Sequence, residues 1–197
     1  MQIEIERRVM DAHKMEVRQS ATGSSLVGYA AVFDSLSELI ADFRELIRPG
    51  AFGAAIAEGQ DVRALYNHDP SQILGRTTAG TLRLSQTQVG LRYEVDLPDT
   101  TTARDLATSV ERGDISASSF AFRVRAGGED WRQQEDGSYQ RELTALDLFD
   151  ISPVVYPAYQ ATDGMMGMRS LETYKDRWGH HHINVRKMRL ALAQRIS

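Results

Sequence analysis

Cysteine is absent from the 197 residues. That removes a disulfide framework, a thiolate nucleophile and any cysteine-ligated zinc or iron–sulfur site. Long apolar runs are missing as well. No stretch approaches the roughly 20 residues that span a bilayer. The opening segment, MQIEIERRVMDAHK, alternates apolar and charged side chains and lacks the uninterrupted apolar stretch of a secretory signal. An excess of positive charge is lacking too. Net charge is −4 with a pI near 5.7, whereas a chain that binds nucleic acid along its length is normally basic. Neither a membrane nor a nucleic acid is therefore expected as a partner.

What is present fits an ordinary globular chain, 42% hydrophobic and 25% charged, long enough to bury one real core. Collagen-like and wholly disordered classes are excluded by the same figures. The charge is unevenly placed. From Arg169 to Ser197 seven basic residues face two acidic ones, which leaves 16 basic against 25 acidic in the rest of the chain. An acidic body with a basic tail suggests two tasks, or one task plus a tether.

The body reads mainly as β. Leu26 to Phe33 (LVGYAAVF) is apolar and rich in β-branched and aromatic residues, and Phe43 to Ile47 alternates. Asp61 to Tyr66 leads into Asn-His-Asp-Pro, a turn composition. Thr81 to Ser85 and Val89 to Leu97 form a hairpin pattern, with further strands over Ile115 to Val124 and Glu142 to Ile151. One helix is predicted after Pro49-Gly50. Another is predicted from the Thr100–Thr102 hydroxyl cluster to a glycine stop at Gly113. Gly127 to Ser138 is polar and reads as an exposed hairpin tip. This pattern implies a mainly β fold with flanking α-helices, as a barrel or a sandwich. Beyond Pro157, Ala161 to Met168 reads as a linker, and Ser170 onward as a helical tail broken by Gly179 and His180-His181-His182. The histidine run reads as incidental, because no carboxylate or histidine stands at a recognisable ligand spacing, so neither a metal nor a cofactor is expected.

Without cysteine, a covalent nucleophile has to be a hydroxyl activated by a base, usually histidine. Within the body only His68 is well placed, between an apolar strand and Asp69-Pro70. A lone turn histidine is also an ordinary surface residue, and Asn67 and Asp69 are ordinary turn formers. In DISASSFAFRV the hydroxyls are Ser116, Ser118 and Ser119. Alternation puts Ser119, Ala121 and Arg123 on one face and Ser118, Phe120 and Phe122 on the other, so burying the phenylalanines turns Ser119 toward a cleft or solvent. Plain strand-edge hydroxyls are the competing reading. A third group that orients the imidazole is offered by Asp147 or Asp150, two acids in the apolar strand LDLFDISPV. A buried carboxylate needs a partner, catalytic or structural. The two acids belong on opposite strand faces unless a bulge intervenes.

Six blocks in this order resemble the caudovirus (HK97-type) prohead, or capsid maturation, serine protease family, which is distantly similar to herpesvirus assemblin. They are VGYAAVFD from Val27, FRELIRPGAF from Phe43, ALYNHDP from Ala64, ILGRTTAGTLRL from Ile73, RGDISASSFAFRV from Arg112 and LFDISPVVYPAY from Leu148. The resemblance implies a closed β-barrel with flanking helices over residues 1–162 and a basic, partly helical tail over 163–197 that docks or is cleaved off. It implies a serine endopeptidase working through an acyl-enzyme, with Ser119 as nucleophile, His68 as general base and Asp150 as third member, Asp147 being the alternative. Backbone amides are the expected oxyanion donors, with Arg76 as electrostatic assistant; a salt bridge to the acidic body is the other reading of Arg76. The implied substrate is the scaffold protein or the scaffold-like segment of the major capsid protein, cleaved inside the prohead in the host bacterial cytoplasm, with self-processing besides. A homodimer is the oligomeric expectation. A catalytically silent barrel that binds scaffold during assembly is the alternative function. Two positions depart from the family pattern: Ala121 replaces the usual glycine, and Ser118 precedes the nucleophile where methionine is common.

Overall fold

Alternating and β-branched segments become strands in a computed structural model that describes residues 5–11, 15–21, 23–40, 42–156 and 167–176. Three sheets occur among these residues. The first runs β1 (Glu6–Asp11), β9 (Ala117–Val124), β12 (Leu146–Val154), β5 (Arg63–Tyr66), β6 (Asp69–Arg76). The second runs β2 (Glu16–Ser20), β3 (Gly23–Val32), β8 (Gly90–Asp96), β7 (Leu82–Gln86). The third is β10 (Glu129–Gln133), β11 (Tyr139–Leu143), β4 (Phe43–Ile47).

The mainly β class holds, but none of the three sheets closes into the expected barrel. At the seam between the second and third sheets, a single parallel bridge, Phe33 to Ile47, stands where closure would need a ladder. At the seam between the first and second, the Arg76 amide of β6 donates to the Thr81 hydroxyl just before β7 at 2.9 Å. Gly75 makes that seam close: a Cβ there would stand 2.9 Å from Val95 and 3.0 Å from the Thr81 carbonyl oxygen. The sheets wrap one core in which Phe33, Phe52, Phe120 and Phe122 pack in sequence, ring centroids 6.3, 5.7 and 5.1 Å apart.

Both expected helices form: α1 (Gly53–Ala57) and α2 (Thr101–Arg112). The Thr100 hydroxyl accepts the Ala103 amide at the start of α2, and Gly113 ends it in the left-handed region at φ 82°. Leu106 and Val110 carry its buried stripe. The single strand expected over Glu142 to Ile151 is two strands, β11 and β12. Between them the Thr144 and Ala145 amides both turn to the Gly128 carbonyl. The expected hairpin tip over Gly127 to Ser138 holds β10 and the turn that joins it to β11, with β10 anchored by Trp131 edge-on to Phe43 at 5.0 Å. Strands β1, β2 and β6, the last partly read as turn composition, are the other elements that sequence pattern left unread.

A cluster of charge lies beneath the third sheet. The Arg141 guanidinium, 2% exposed, donates to Glu6, Glu45 and Glu129, and Arg8 donates to Glu6 and Glu45. Residues 167–176 form a helix whose Leu171 is fully buried with Ile40 and Phe43. Ser170 on that helix donates to Glu129 and accepts from the Trp131 indole. Part of the expected tail is thus packed on the body. The histidine run and the rest of the tail lie outside the described residues.

Candidate active site

The hairpin between β5 and β6 turns on two residues, Asn67 and His68, between the paired Tyr66 and Asp69. Both have positive φ, 53° and 58°. This is the left-handed pair of a type I′ turn, where the second position favours glycine. A side chain there costs on the order of 1 kcal/mol. The turn is held against β12 by three hydrogen bonds. The Asn67 amide donates to the Pro153 carbonyl (3.1 Å), the Val155 amide to Asn67 Oδ1 (3.0 Å), and the His68 amide to Ser152 Oγ (3.2 Å). By Pro153 the β5–β12 ladder has ended, so the proline leaves no ladder bond unmade and its carbonyl is free for Asn67.

This strained turn drives the His68 ring over β9. Its Nδ1 lies 2.5 Å from Asp150 Oδ1 and its Nε2 lies 2.6 Å from Ser119 Oγ. A carboxylate only accepts, so Nδ1 carries the proton, and Nε2 is left to accept from the serine hydroxyl. Ser119, His68 and Asp150 are therefore one hydrogen-bonded chain, although 51 positions separate the serine from the histidine.

The face rule for β9 holds, with one correction. Ser119 does not open to solvent; it is fully buried, with the largely covered imidazole, 12% exposed, lying over it. Ser118 faces the core and shares a hydrogen bond with the Tyr93 hydroxyl at 2.9 Å. Burial pushes the Tyr93 phenol up to about 12, against the pull of that hydrogen bond. Gly28 makes room for the ring, since a Cβ there would meet the Tyr93 oxygen at 2.7 Å.

The choice between the two acids is made by a bulge. The β9–β12 register slips between Leu148 and Asp150, so Asp147 pairs with Arg123 and Asp150 with Ala121. Arg123 and Ala121 share the Ser119 face, so both acids come to that face, contrary to plain alternation. Only Asp150 reaches His68. Asp147 instead accepts from Gln60 (2.7 Å), Arg125 (2.7 Å) and Arg123. Burial raises its carboxyl, but these donors more than offset that and hold it below the ordinary range.

Arg76 is not brought to the site. Its guanidinium grips both oxygens of Asp61 at 2.6 Å, the salt-bridge reading. That grip, ahead of the smaller effects of Thr78 and Arg63, holds Asp61 well below the usual carboxylate range. Asn67 and Ser152 escaped the sequence reading. A positive-φ pair ending in histidine, where Asn-Gly is usual, was the available signal for the first. An open groove of about 640 Å³, lined by Gln60, Asp61, Arg123, Asp147 and Phe149, extends from the same sheet face. Among the described residues no group of histidines and carboxylates could hold a metal ion, and no helix is long and apolar enough to cross a membrane.

The sequence profile of the caudovirus prohead serine proteases matches residues 12–177. Among solved structures the chain is similar to the bacteriophage T4 capsid assembly protease, at 11% identity and a TM-score of 0.49, covering 78% of this chain and 99% of that one. No curated protein sequence matches significantly.

Proposed function

The chain belongs to the caudovirus prohead serine protease family, and on that footing we propose that it is a capsid maturation endopeptidase whose catalytic residues are Ser119, His68 and Asp150. The observation that carries this reading is the unbroken hydrogen-bonded chain from Asp150 through the imidazole to the Ser119 hydroxyl.

The geometry supports the following sequence of steps. The Ser119 hydroxyl attacks the scissile carbonyl as its proton passes to Nε2 of His68. Asp150 holds the tautomer that leaves Nε2 free and stabilises the imidazolium that forms. The same Nε2–H then protonates the departing amine, and a water deprotonated by His68 releases the acyl group. An extended substrate segment lies along the groove beside Arg123 and Asp147. The oxyanion requires preorganised donors, worth roughly 3 kcal/mol apiece. With Arg76 committed to Asp61, backbone amides are the remaining source.

The substrate is the scaffold protein or the scaffold-like segment of the major capsid protein, cleaved within the assembling prohead in the host cytoplasm, and the enzyme processes itself. Co-expression with the capsid and scaffold proteins of the same replicon tests this. Processing that is lost in Ser119→Ala and indifferent to EDTA is the expected result. Normal processing by Ser119→Ala overturns the assignment and favours a non-catalytic assembly protein.

A further inference from the structure

We propose that Ser152 is a positioning residue of this active site, its single hydroxyl tying the main chain of the strained His68 turn to the Asp150 carboxylate. The proposal rests on the catalytic reading above.

Ser152 is fully buried on β12 and lies directly across the ladder from Ser119. Its Oγ is 3.2 Å from the His68 amide nitrogen and 3.1 Å from Asp150 Oδ1. A serine hydroxyl has one proton and two lone pairs. The carboxylate can only accept, so the proton goes to Asp150. The His68 amide can only donate, so it takes a lone pair. The 3.3 Å separation from His68 Nδ1 adds no stronger claim, because that nitrogen gives its proton to Asp150 at 2.5 Å. Both roles of the hydroxyl are thus assigned by its neighbours.

Two consequences follow. The first concerns geometry. His68 sits where L residues are disfavoured, and its side chain must aim within a few tenths of an ångström at both Asp150 and Ser119. The Ser152 bond fixes its backbone at the strained residue itself, while the two bonds of Asn67 fix only the residue before it. The second concerns charge. Asp150 Oδ1 receives two donors, the imidazole and the Ser152 hydroxyl. The second donor withdraws part of the carboxylate's pull on the ring. Without it the imidazolium is better stabilised, and His68 loses its base function at a higher pH. The charged neighbours that share this face are Arg63 of β5 and Arg7 of β1, in register with Asp150 and Ala121, Arg76 of β6, in register with Arg63, and the paired Arg123 and Asp147 further along β9 and β12. Arg63 and Arg76 are bound to Asp61, and Asp69 beside the ring is bound by Ser71. None of these contacts involves Ser152, so its removal leaves them in place.

The test uses the full chain and a fluorophosphonate probe, which needs no knowledge of the substrate. The Ser119 oxygen forms a bond to phosphorus, fluoride leaves, and intact mass reports the adduct. Labelling rates are measured from pH 5 to 9 for the native protein, Ser152→Ala and Ser152→Thr. The expected result is labelling about tenfold slower in Ser152→Ala, with the acidic inflection raised by about half a pH unit, and both restored toward native values in Ser152→Thr. An unchanged profile in Ser152→Ala overturns the proposal. So does a uniform slowing with an unmoved inflection, which is the mark of a merely structural role. If the buried threonine does not fit, Ser152→Cys serves as the size-matched weak donor and is expected between the other two. Failure of the native protein itself to label defeats the catalytic reading, and this proposal with it.

Discussion

At Ser119 a His–Asp pair lies 12% and 14% exposed, carried partly on a turn with two left-handed residues. At Arg141, across β1 and β9 from that turn, a guanidinium 2% exposed meets Glu6, Glu45 and Glu129 from three different strands. Both clusters bury charge beside the same pair of strands: Val9 of β1 pairs with Ser119, while Glu6, three residues earlier, receives Arg141. Their energetics differ. The first keeps one edge open and places a strained histidine where rigidity must be imposed by Asn67 and Ser152. The second is closed and saturated, and joins the N-terminal strand to the 167–176 helix through Ser170. On the proposed reading, charge is placed for chemistry in one and for connection in the other.

The sharpest way to break this distinction is to remove one member of each. Ser119→Ala and His68→Ala are each expected to lower peptide hydrolysis by about 10⁴-fold or more. Thermal midpoints in both should stay within a few degrees of native, because the site contributes chemistry and not connection. Comparable loss of stability in these variants would erase the contrast. Arg141→Met is the converse. It takes the shared guanidinium from three carboxylates, leaving Glu6 and Glu45 to Arg8 alone and Glu129 to Ser170, and is expected to cost about 3–5 kcal/mol in urea unfolding. Fluorophosphonate labelling per folded molecule should be unchanged. A large loss of labelling in folded Arg141→Met would mean that the two clusters are coupled through β1.

The sequence made the Ser119–His68–Asp150 cluster far more legible than the connecting one. His68 stood out because a five-histidine, cysteine-free chain offers few bases, and Ser119 because alternation around Phe120 and Phe122 assigns its face. Asp150 could not be separated from Asp147 by pattern, since the bulge between Leu148 and Asp150 leaves no compositional trace. Ser119's burial was invisible for a related reason: the ring that covers it arrives from a turn 51 positions away. The Arg141 cluster was unreadable. Glu6, Arg8, Glu45 and Arg141 lie in alternating strands where charge normally means a solvent face, and only the docking of the 167–176 helix and the third sheet closes that face. Barrel closure was over-read because strand count and order say nothing of whether adjacent sheets meet by a ladder or by one bridge.

A neutral polar pair gives an intermediate case. Gly28→Ala drives a methyl into the Tyr93 hydroxyl and displaces it from Ser118, directly behind the nucleophile. The expected cost is about 1–3 kcal/mol in the urea midpoint, from overpacking and a lost buried hydrogen bond. Labelling should slow only a few-fold, since Ser118 points away from His68. A loss near that of Ser119→Ala would show that the core face of β9 also sets the reactive geometry.

The smallest effect separates the clusters by pH. Burial raises the Glu6 carboxyl, but Arg141 and Arg8 more than offset this and hold it below its ordinary 4.5. A carboxyl depressed in the folded state adds stability that is complete above the unfolded value and lost as pH falls through the folded one. The native protein is therefore expected to lose about 1–2 kcal/mol from this group between pH 5 and pH 3. Glu6→Gln, already weakened at neutral pH, should show a flatter urea-midpoint profile over that interval. Its labelling profile between pH 5 and 9 should overlay the native one, because no hydrogen bond of Glu6 reaches His68, Asp150 or Ser152. If the urea-midpoint profile of Glu6→Gln stays as steep as the native one, Arg141 is satisfied by Glu45 and Glu129 alone, and the link from β1 to the closed cluster contributes nothing that proton binding can detect.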